Sequence, residues 1–392
     1  MNRKAIFSIF LFLAVIEVPI AMAEKPENGQ LDLRDYDFKA GKLISLEGEW
    51  NFYWNRFISP SLEENERAGS IIVPNEWNHS ANGTKAHSPY GYASYHVRLL
   101  LPSHPVDLAL KMYSFSSAYS AYANGKFIGQ VGKPGTSAES SVPAFGPKVL
   151  NLPNIKGQVD LVFHVSNYQR DKAGIWEAPK LGTAAKINKK HEREVFGETF
   201  VIATIFVLAL YQLMLYFHRK KASSNLFLSI FAFLIALRIM STGEYLLYHV
   251  VQLDWQTTFR LEYLTFYAAL PVFAKYVQHL FAGRFWQPAS WIITGIALLS
   301  GSIVLFAPTQ VFIETTEWYQ VVTVAFSLYV IYLLIRGVLR KERASAILLA
   351  GFFLFFITVI NDILFLNGII QSTSMLSAGI VIFLFSQAYL LS

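Results

Sequence analysis

The sequence predicts a β-sandwich or jelly-roll domain on the outside of a cell, followed by an all-α bundle of seven transmembrane helices. Three observations carry this expectation. The 392 residues are 53% hydrophobic and only 15% charged, against about 45–50% apolar and about 25% charged in soluble domains. The apolar residues are unevenly placed: residues 24–190 are mixed and strand-like, whereas those from about 195 onward are overwhelmingly apolar and aromatic. In the second stretch, lysine and arginine occupy alternate loops. A mean hydropathy of +0.36 excludes a disordered chain. The absence of cysteine excludes a disulfide scaffold, thiolate metal sites and cysteine nucleophiles.

Residues 1–23 read as a signal peptide. Arg3 and Lys4 form the charged start, Ala5 to Ile16 the apolar run, and Ala21-Met22-Ala23 a small-residue cleavage site. Residues 24–190 then form the exported sensor domain. Leu46–Tyr53, Ser94–Leu101, Val106–Tyr113 and Val159–Val165 alternate as strands do. Ser120–Gln130 reads as a hairpin, because Asn124-Gly125 suits a type I′ turn with two positive φ angles. Short strands without helical periodicity argue a sandwich.

The aromatics of this domain divide. Trp50, Phe52, Tyr53 and Trp54 lie on or beside one strand and read as core. Trp77, Tyr90, Tyr92 and Trp176 fall in loops, where a flat ring can stack on a sugar, with Asn78, Asn82, Asn167 and Arg170 nearby to hydrogen-bond. The competing reading is that these rings close the ends of the sandwich. Gly129–Pro147 is a long Gly/Ser/Pro loop with no phosphate-binding frame.

Residues 195–392 form the transmembrane domain. Seven apolar segments follow, near 196–217, 224–246, 258–281, 289–306, 317–336, 344–366 and 372–391. The loops after the first, third and fifth contain or adjoin Arg219, Lys220, Lys221, Lys275, Arg284, Arg336, Arg340, Lys341 and Arg343, whereas the alternate loops have only Asp254 and Glu314. This predicts the N-terminal domain outside and the C-terminus in the cytoplasm. Lys186, Lys189, Lys190 and Arg193 lie on the wrong side for that rule. The net charge of +6 is thus the remainder of an inside–outside polarity and says nothing of nucleic acid.

Ionisable residues inside a membrane are costly, so each is a functional candidate. Arg238, Glu244, Glu262, Asn361 and Asp362 fall at similar depth. We expect one buried polar network, with Arg238 pairing to Glu262 or Asp362 and Asn361 bridging; plain interfacial placement is the competing reading. Gln387 reads as packing against another helix. The chain has no HExxH, GxSxG or SxxK, and its histidines lack metal-ligand spacing, so no enzyme, cofactor or metal site is expected.

Several segments carry a likeness to a known family: LDLRDYDF (31–38), LEGEWNFYW (46–54), VPNEW (73–77), GYASYHVRL (91–99), AYANGKFIGQVGKPGTSAE (121–139) and VSNYQ (165–169), then ALRIMSTGEYLL (236–247), RLEYLTFYAALPVF (260–273), LLAGFFLFFITVINDILF (348–365) and FLFSQAYLL (383–391). In this order they resemble the bacterial seven-transmembrane receptors with diverse intracellular signalling modules, the 7TM-DISM family, with its type 2 extracellular domain. The resemblance implies a jelly roll similar to carbohydrate-binding modules, reception of an extracellular, carbohydrate-like ligand, and transmission to a cytoplasmic output. The chain stops at Ser392 without a coiled coil or output domain, which implies a truncated chain or a stand-alone sensor with a separate partner. Expected partners are an extracellular small molecule or glycan, the lipid bilayer, a cytoplasmic signalling protein and a second copy in a homodimer. Expected localisation is the bacterial inner membrane. The alternative reading is a multi-span transporter or channel with an outer substrate-binding domain; a membrane-tethered adhesion module is a third.

Overall fold

A computed structural model describes residues 25–61, 69–78, 86–114, 118–218, 223–366, 370 and 374–391. The expected signal peptide, Asn82 and the Arg219-Lys220-Lys221 cluster lie outside these residues. The chain forms a sheet-rich region followed by a helical one.

Eleven strands are described: β1 (Gln30–Asp32), β2 (Ile44–Ser45), β3 (Gly48–Trp54), β4 (Gly69–Val73), β5 (Gly91–Leu100), β6 (Val106–Met112), β7 (Ala118–Ala123), β8 (Lys126–Val131), β9 (Lys148–Ile155), β10 (Gln158–Asn167) and β11 (Lys180–Thr183). One sheet runs β4-β3-β5-β10-β7-β8, with β1 added parallel to the end of β5; the other runs β2-β11-β6-β9. Alternation decides the core. Ala93, Tyr95, Val97 and Leu99 of β5 and Val159, Leu161, Phe163 and Val165 of β10 point to one side and join Leu108, Leu110, Leu150, Leu152 and Leu181 of the second sheet in a single cluster. The β7–β8 hairpin turns at Asn124 and Gly125, with φ of 46° and 79°, the two positive angles that its sequence predicts.

Trp50 and Phe52 are buried, and Trp54, in phase with them at the end of the strand, packs partly buried against the same core; Tyr53, a neighbour on the strand, faces the opposite side. Trp77 is 1% exposed. Its ring packs against Trp54 at 5.3 Å, and its Nε1 donates to the Ser88 carbonyl at 3.0 Å. The structure thus corrects its place: Trp77 is a core residue, and its face is not open to a ligand.

The helices are α1 (Ala184–His218), α2 (Ser223–Met240), the short α3 (Leu247–Val250), α4 (Trp255–Leu280), α5 (Gln287–Phe306), α6 (Thr309–Leu339), α7 (Arg343–Leu366) and α8 (Leu376–Leu391). Among the described residues, five are long and apolar enough to cross a membrane: α1, α2, α5, α6 and α7. The 16-residue α8 is apolar but short. The 26-residue α4 is long enough but not among these five, and its position explains why. Phe273 of α4 touches Phe231 of α2, Phe326 of α6, Phe352 of α7 and Phe383 of α8, with centroids 4.9–6.3 Å apart. A helix surrounded by protein can carry polar groups that a lipid-facing helix cannot. Consecutive long helices touch, and α8 returns to α1. Met214, Trp291 and Trp318 face outward, each about 70–80% exposed.

Replacing Trp77 by alanine is expected to cost about 3–5 kcal/mol of stability. Replacing Tyr90, which is 38% exposed, should stay within about 0.5 kcal/mol. Chemical unfolding of the full chain in detergent checks the pair; equal losses would mean that the two rings do not differ in environment.

Candidate functional site

Buried charged and aromatic side chains gather where the sheets meet the bundle. Helix α1 begins twelve residues before the expected span and lies with its first turns against β6, β9 and β11. On β6, Leu108, Leu110 and Met112 enter the sheet core. Lys111 between them faces the other way, and α1 covers that face, so the lysine is fully buried.

Its ammonium donates to Glu194 Oε2 at 2.6 Å, to Glu244 Oε1 at 2.9 Å and lies 2.9 Å from His191 Nδ1. His191 Nδ1 is also 3.1 Å from Glu244 Oε2. That one nitrogen serves Lys111 as an acceptor or Glu244 as a donor, according to its proton. Glu198, one turn beyond Glu194, accepts from the Glu244 backbone N–H at 3.0 Å. The Glu244 turn follows α2, and Gly243 has φ of 60° with its Cα against the Glu198 carboxylate, where a Cβ would sit 2.4 Å from an oxygen. His191, Glu194 and Glu244 offer ligand atoms within 4.8 Å of one another. That donor set suits a divalent cation, and here Lys111 supplies the positive charge.

A second contact is aromatic. Phe145, at the end of the Gly/Ser/Pro loop between β8 and β9, belongs to the bundle's apolar cluster and not to that of the sheets. It stacks on Tyr245 at 4.6 Å and 13° and on Trp255 at 5.4 Å and 17°. A third involves the β10–β11 loop, where the Tyr168 carbonyl accepts from Gln310 of α6 at 3.2 Å and the Arg170 guanidinium lies over Phe259 of α4 at 4.8 Å.

The residues proposed as ligand-binding are only partly brought together. Arg170 sits over Trp176 at 5.7 Å. Asn167 is buried and spends its amide on the loop, donating to the Pro89 carbonyl at 2.8 Å and to that of Arg170 at 2.7 Å. Tyr92 packs edge-on against Phe57 at 4.9 Å on the far face of the large sheet, and Tyr90 is exposed at a turn.

The expected membrane network separates. Arg238 donates to the backbone carbonyl of Glu262 at 2.6 Å and lies over Phe266. Glu244 belongs to Lys111. Asp362, joined by Asn361 at 3.0 Å, accepts from the N–H groups of Met375 and Leu376 at 2.7 and 3.2 Å and caps α8. Arg260 donates to the Val304, Leu305 and Ala307 carbonyls at the end of α5. Equal depth does not place groups together, because α2 and α7 stand apart around α4. Gln387 accepts from Tyr276 of α4.

Lys111, His191, Glu194, Glu198 and Phe145 escape sequence reasoning. Lys111 occupies the polar phase of an alternating strand, which reads as solvent-facing. Two signals were present: His191, Glu194 and Glu198 share one helix face just before an apolar run, and Phe145 is a lone large aromatic in a polar loop.

Replacing Lys111 by methionine leaves the Glu244 carboxylate without its lysine, while Glu194 keeps Lys190, and is expected to cost about 3–5 kcal/mol. Limited proteolysis between β11 and α1 checks it, cleavage as slow as in the parent being the contrary result. Beside this group, burial pushes the Glu177 carboxyl up to about 7, with Glu194 adding to the rise and Lys180, Lys111 and Lys190 opposing it. The folded chain then holds a proton that the unfolded chain releases from about 4.5 upward. Its contribution to stability is full below that value, falls as pH rises to about 7, and is level beyond. Glu177→Gln should melt higher than the parent above about 7 and equally below about 4.5.

Residues 194–392 match the family described as 7TM diverse intracellular signalling. No curated protein sequence matches the chain. Among solved structures, the chain is similar to a Faecalibacterium prausnitzii beta-glucuronidase at 16% identity and TM-score 0.29, covering 36% of this chain and 31% of that one. It is similar also to a Ruminococcus gnavus glucuronidase in complex with D-glucuronic acid, at 15% and 0.28, covering 36% and 29%. An Eisenbergiella tayi GH2 beta-galacturonidase bound to galacturonate gives 19% and 0.25, covering 36% and 24%. The chain spans less than a third of the length of these enzymes, and no activity is carried over from them. The family match covers the bundle from Glu194 onward, including the Glu244 turn and the helices that receive Phe145, and so this multi-pass membrane protein belongs to the 7TM diverse intracellular signalling family.

Proposed function

We propose that the protein is a bacterial receptor in which the sheet region, a jelly-roll β-sandwich similar to carbohydrate-binding modules, senses an extracellular small molecule or glycan. Seven helices, α3 excluded, carry the change across the inner membrane to a cytoplasmic signalling partner. The sheet region lies outside and the C-terminus inside. This orientation is supported by the basic cluster that runs against the charge rule. Lys186 donates to the Phe38 and Gly41 carbonyls, and Lys190 pairs with Glu194 at 2.6 Å, so part of that cluster is used in docking the sheets. The protein acts by binding and transmission, not by catalysis.

The observation that carries this reading is the buried Lys111 centre. It ties a sheet strand to α1 and to the turn after α2 at once. A ligand that favours one pose of the sheets therefore biases two helices, which is the differential interaction that a population shift requires. Phe145 gives the same coupling to the end of α4.

The chain has no cysteine, so labels placed by Ala282→Cys and Arg340→Cys report alone from the two loops joined by the Arg284–Glu342 pair. Phe145→Ala and Lys111→Met, at the opposite end of the bundle, are expected to change the distance distribution between these labels. Identical distributions in the parent and both variants would sink the reading.

A further inference from the structure

We propose that the junction holds a binding site for a small organic carboxylate, built on Arg170 between the sheets and the bundle. Calling its occupant a signal rests on the receptor reading above; the binding itself does not.

The Arg170 backbone is pinned at both ends, its N–H donating to Asn167 Oδ1 at 3.2 Å and its carbonyl accepting from Asn167 Nδ2 at 2.7 Å. The guanidinium lies over Trp176 of the sheet region and Phe259 of α4. Among the described residues it makes no hydrogen bond or ion pair, and its Nε is shut off from solvent without an acceptor. Trp176 Nε1 is buried in the same condition, and so is Nε1 of Trp255, whose ring stacks on Phe259 at 5.0 Å. Four side chains linked by ring contacts thus present three buried N–H donors and no acceptor among them. Buried donors in native proteins nearly always have partners.

The chemistry of the occupant follows. Rings on the faces of a guanidinium leave its edge for hydrogen bonding, and the edge of arginine matches a planar carboxylate. Apolar and aromatic walls from Trp176, Phe259, Trp255 and Phe145 favour a ring or hydrocarbon attached to that carboxylate. The charged groups that act on this neighbourhood are Arg238, Glu262 and Asp171. Arg238 is already committed to the Glu262 backbone carbonyl, and Asp171 faces solvent. The Glu262 carboxylate acts on Arg170 through its charge but makes no hydrogen bond to it among the described residues, so the donors on the guanidinium edge remain open to another acceptor. An occupant here touches both regions of the protein at once and stabilises the pose in which they meet.

The test is thermal unfolding of the full chain in detergent with benzoate, formate, benzamide or inorganic phosphate at tens of millimolar. Benzoate is expected to raise the melting temperature, formate to do so less, and benzamide, of the same shape without charge, not at all. Arg170→Gln should abolish the benzoate shift. Arg170→Lys keeps the charge but not the flat fork and should weaken apparent affinity about tenfold. If Arg170→Gln does not fold, the lysine variant and the benzoate–benzamide contrast still decide. No shift with either carboxylate, an equal shift with benzamide, a shift that persists in Arg170→Gln, or a response to phosphate alone each overturns the proposal. A benzoate shift with no change at the labelled loops overturns the receptor reading and leaves the site standing.

Discussion

A lysine ammonium without access to water must find its compensation in the protein, and the arrangement around Lys111 organises the junction for that reason. Removing an ion from water costs several kcal/mol even after relaxation, and attraction repays this only when the partners are close and well placed. Lys111 meets that demand with two carboxylates and a histidine drawn from α1 and the turn after α2. Lys111 loses all three partners if the sheets shift relative to α1, so the cluster specifies one docked pose more than it adds net stability. It also explains why α1 extends so far beyond the apolar run that makes it a spanning helix: its first turns form the wall that buries the lysine.

The other contacts work on the same principle with different chemistry. Phe145 leaves its own region's core and completes an aromatic stack in the bundle, so its loop is held at one end by apolar burial. The β10–β11 loop is held by the amide of Asn167 and reaches the bundle with Tyr168 and Arg170. Three segments that are distant in sequence therefore converge on the same end of the helices. Within the bundle, two further charged residues are spent on helix ends. Arg260 satisfies the last carbonyls of α5, and Asp362 the first N–H groups of α8, so each answers a local backbone need.

The gross architecture was legible because it depends on patterns of period and composition. Alternation in Gly91–Leu100 and Gln158–Asn167, the Asn124-Gly125 turn and the long apolar runs need no knowledge of what lies beside them. Strands such as Gly69–Val73, Lys148–Ile155 and Lys180–Thr183 were missed because they are short or lie in polar surroundings, and pairing with neighbours makes them strands. The candidate site was less legible. Arg170 and Trp176 read as binding residues by their chemistry and do meet, whereas Trp77 and Asn167 serve packing and loop closure.

What the sequence by itself determined is the division of the chain: a half-buried β region with its turns, then helices whose length and apolarity suit a bilayer. These follow from local periodicity and from the cost of placing backbone and charge in hydrocarbon, both of which act residue by residue. Only the tertiary structure decided which charges meet. Depth along a helix can be read from position, but the angle at which a residue faces its neighbours depends on how helices pack. Whether a strand's outward face meets water or α1 depends on the docking of two regions. That is why Glu244, read as one member of a membrane network around Arg238, belongs instead to Lys111, a residue whose place in its strand reads as surface.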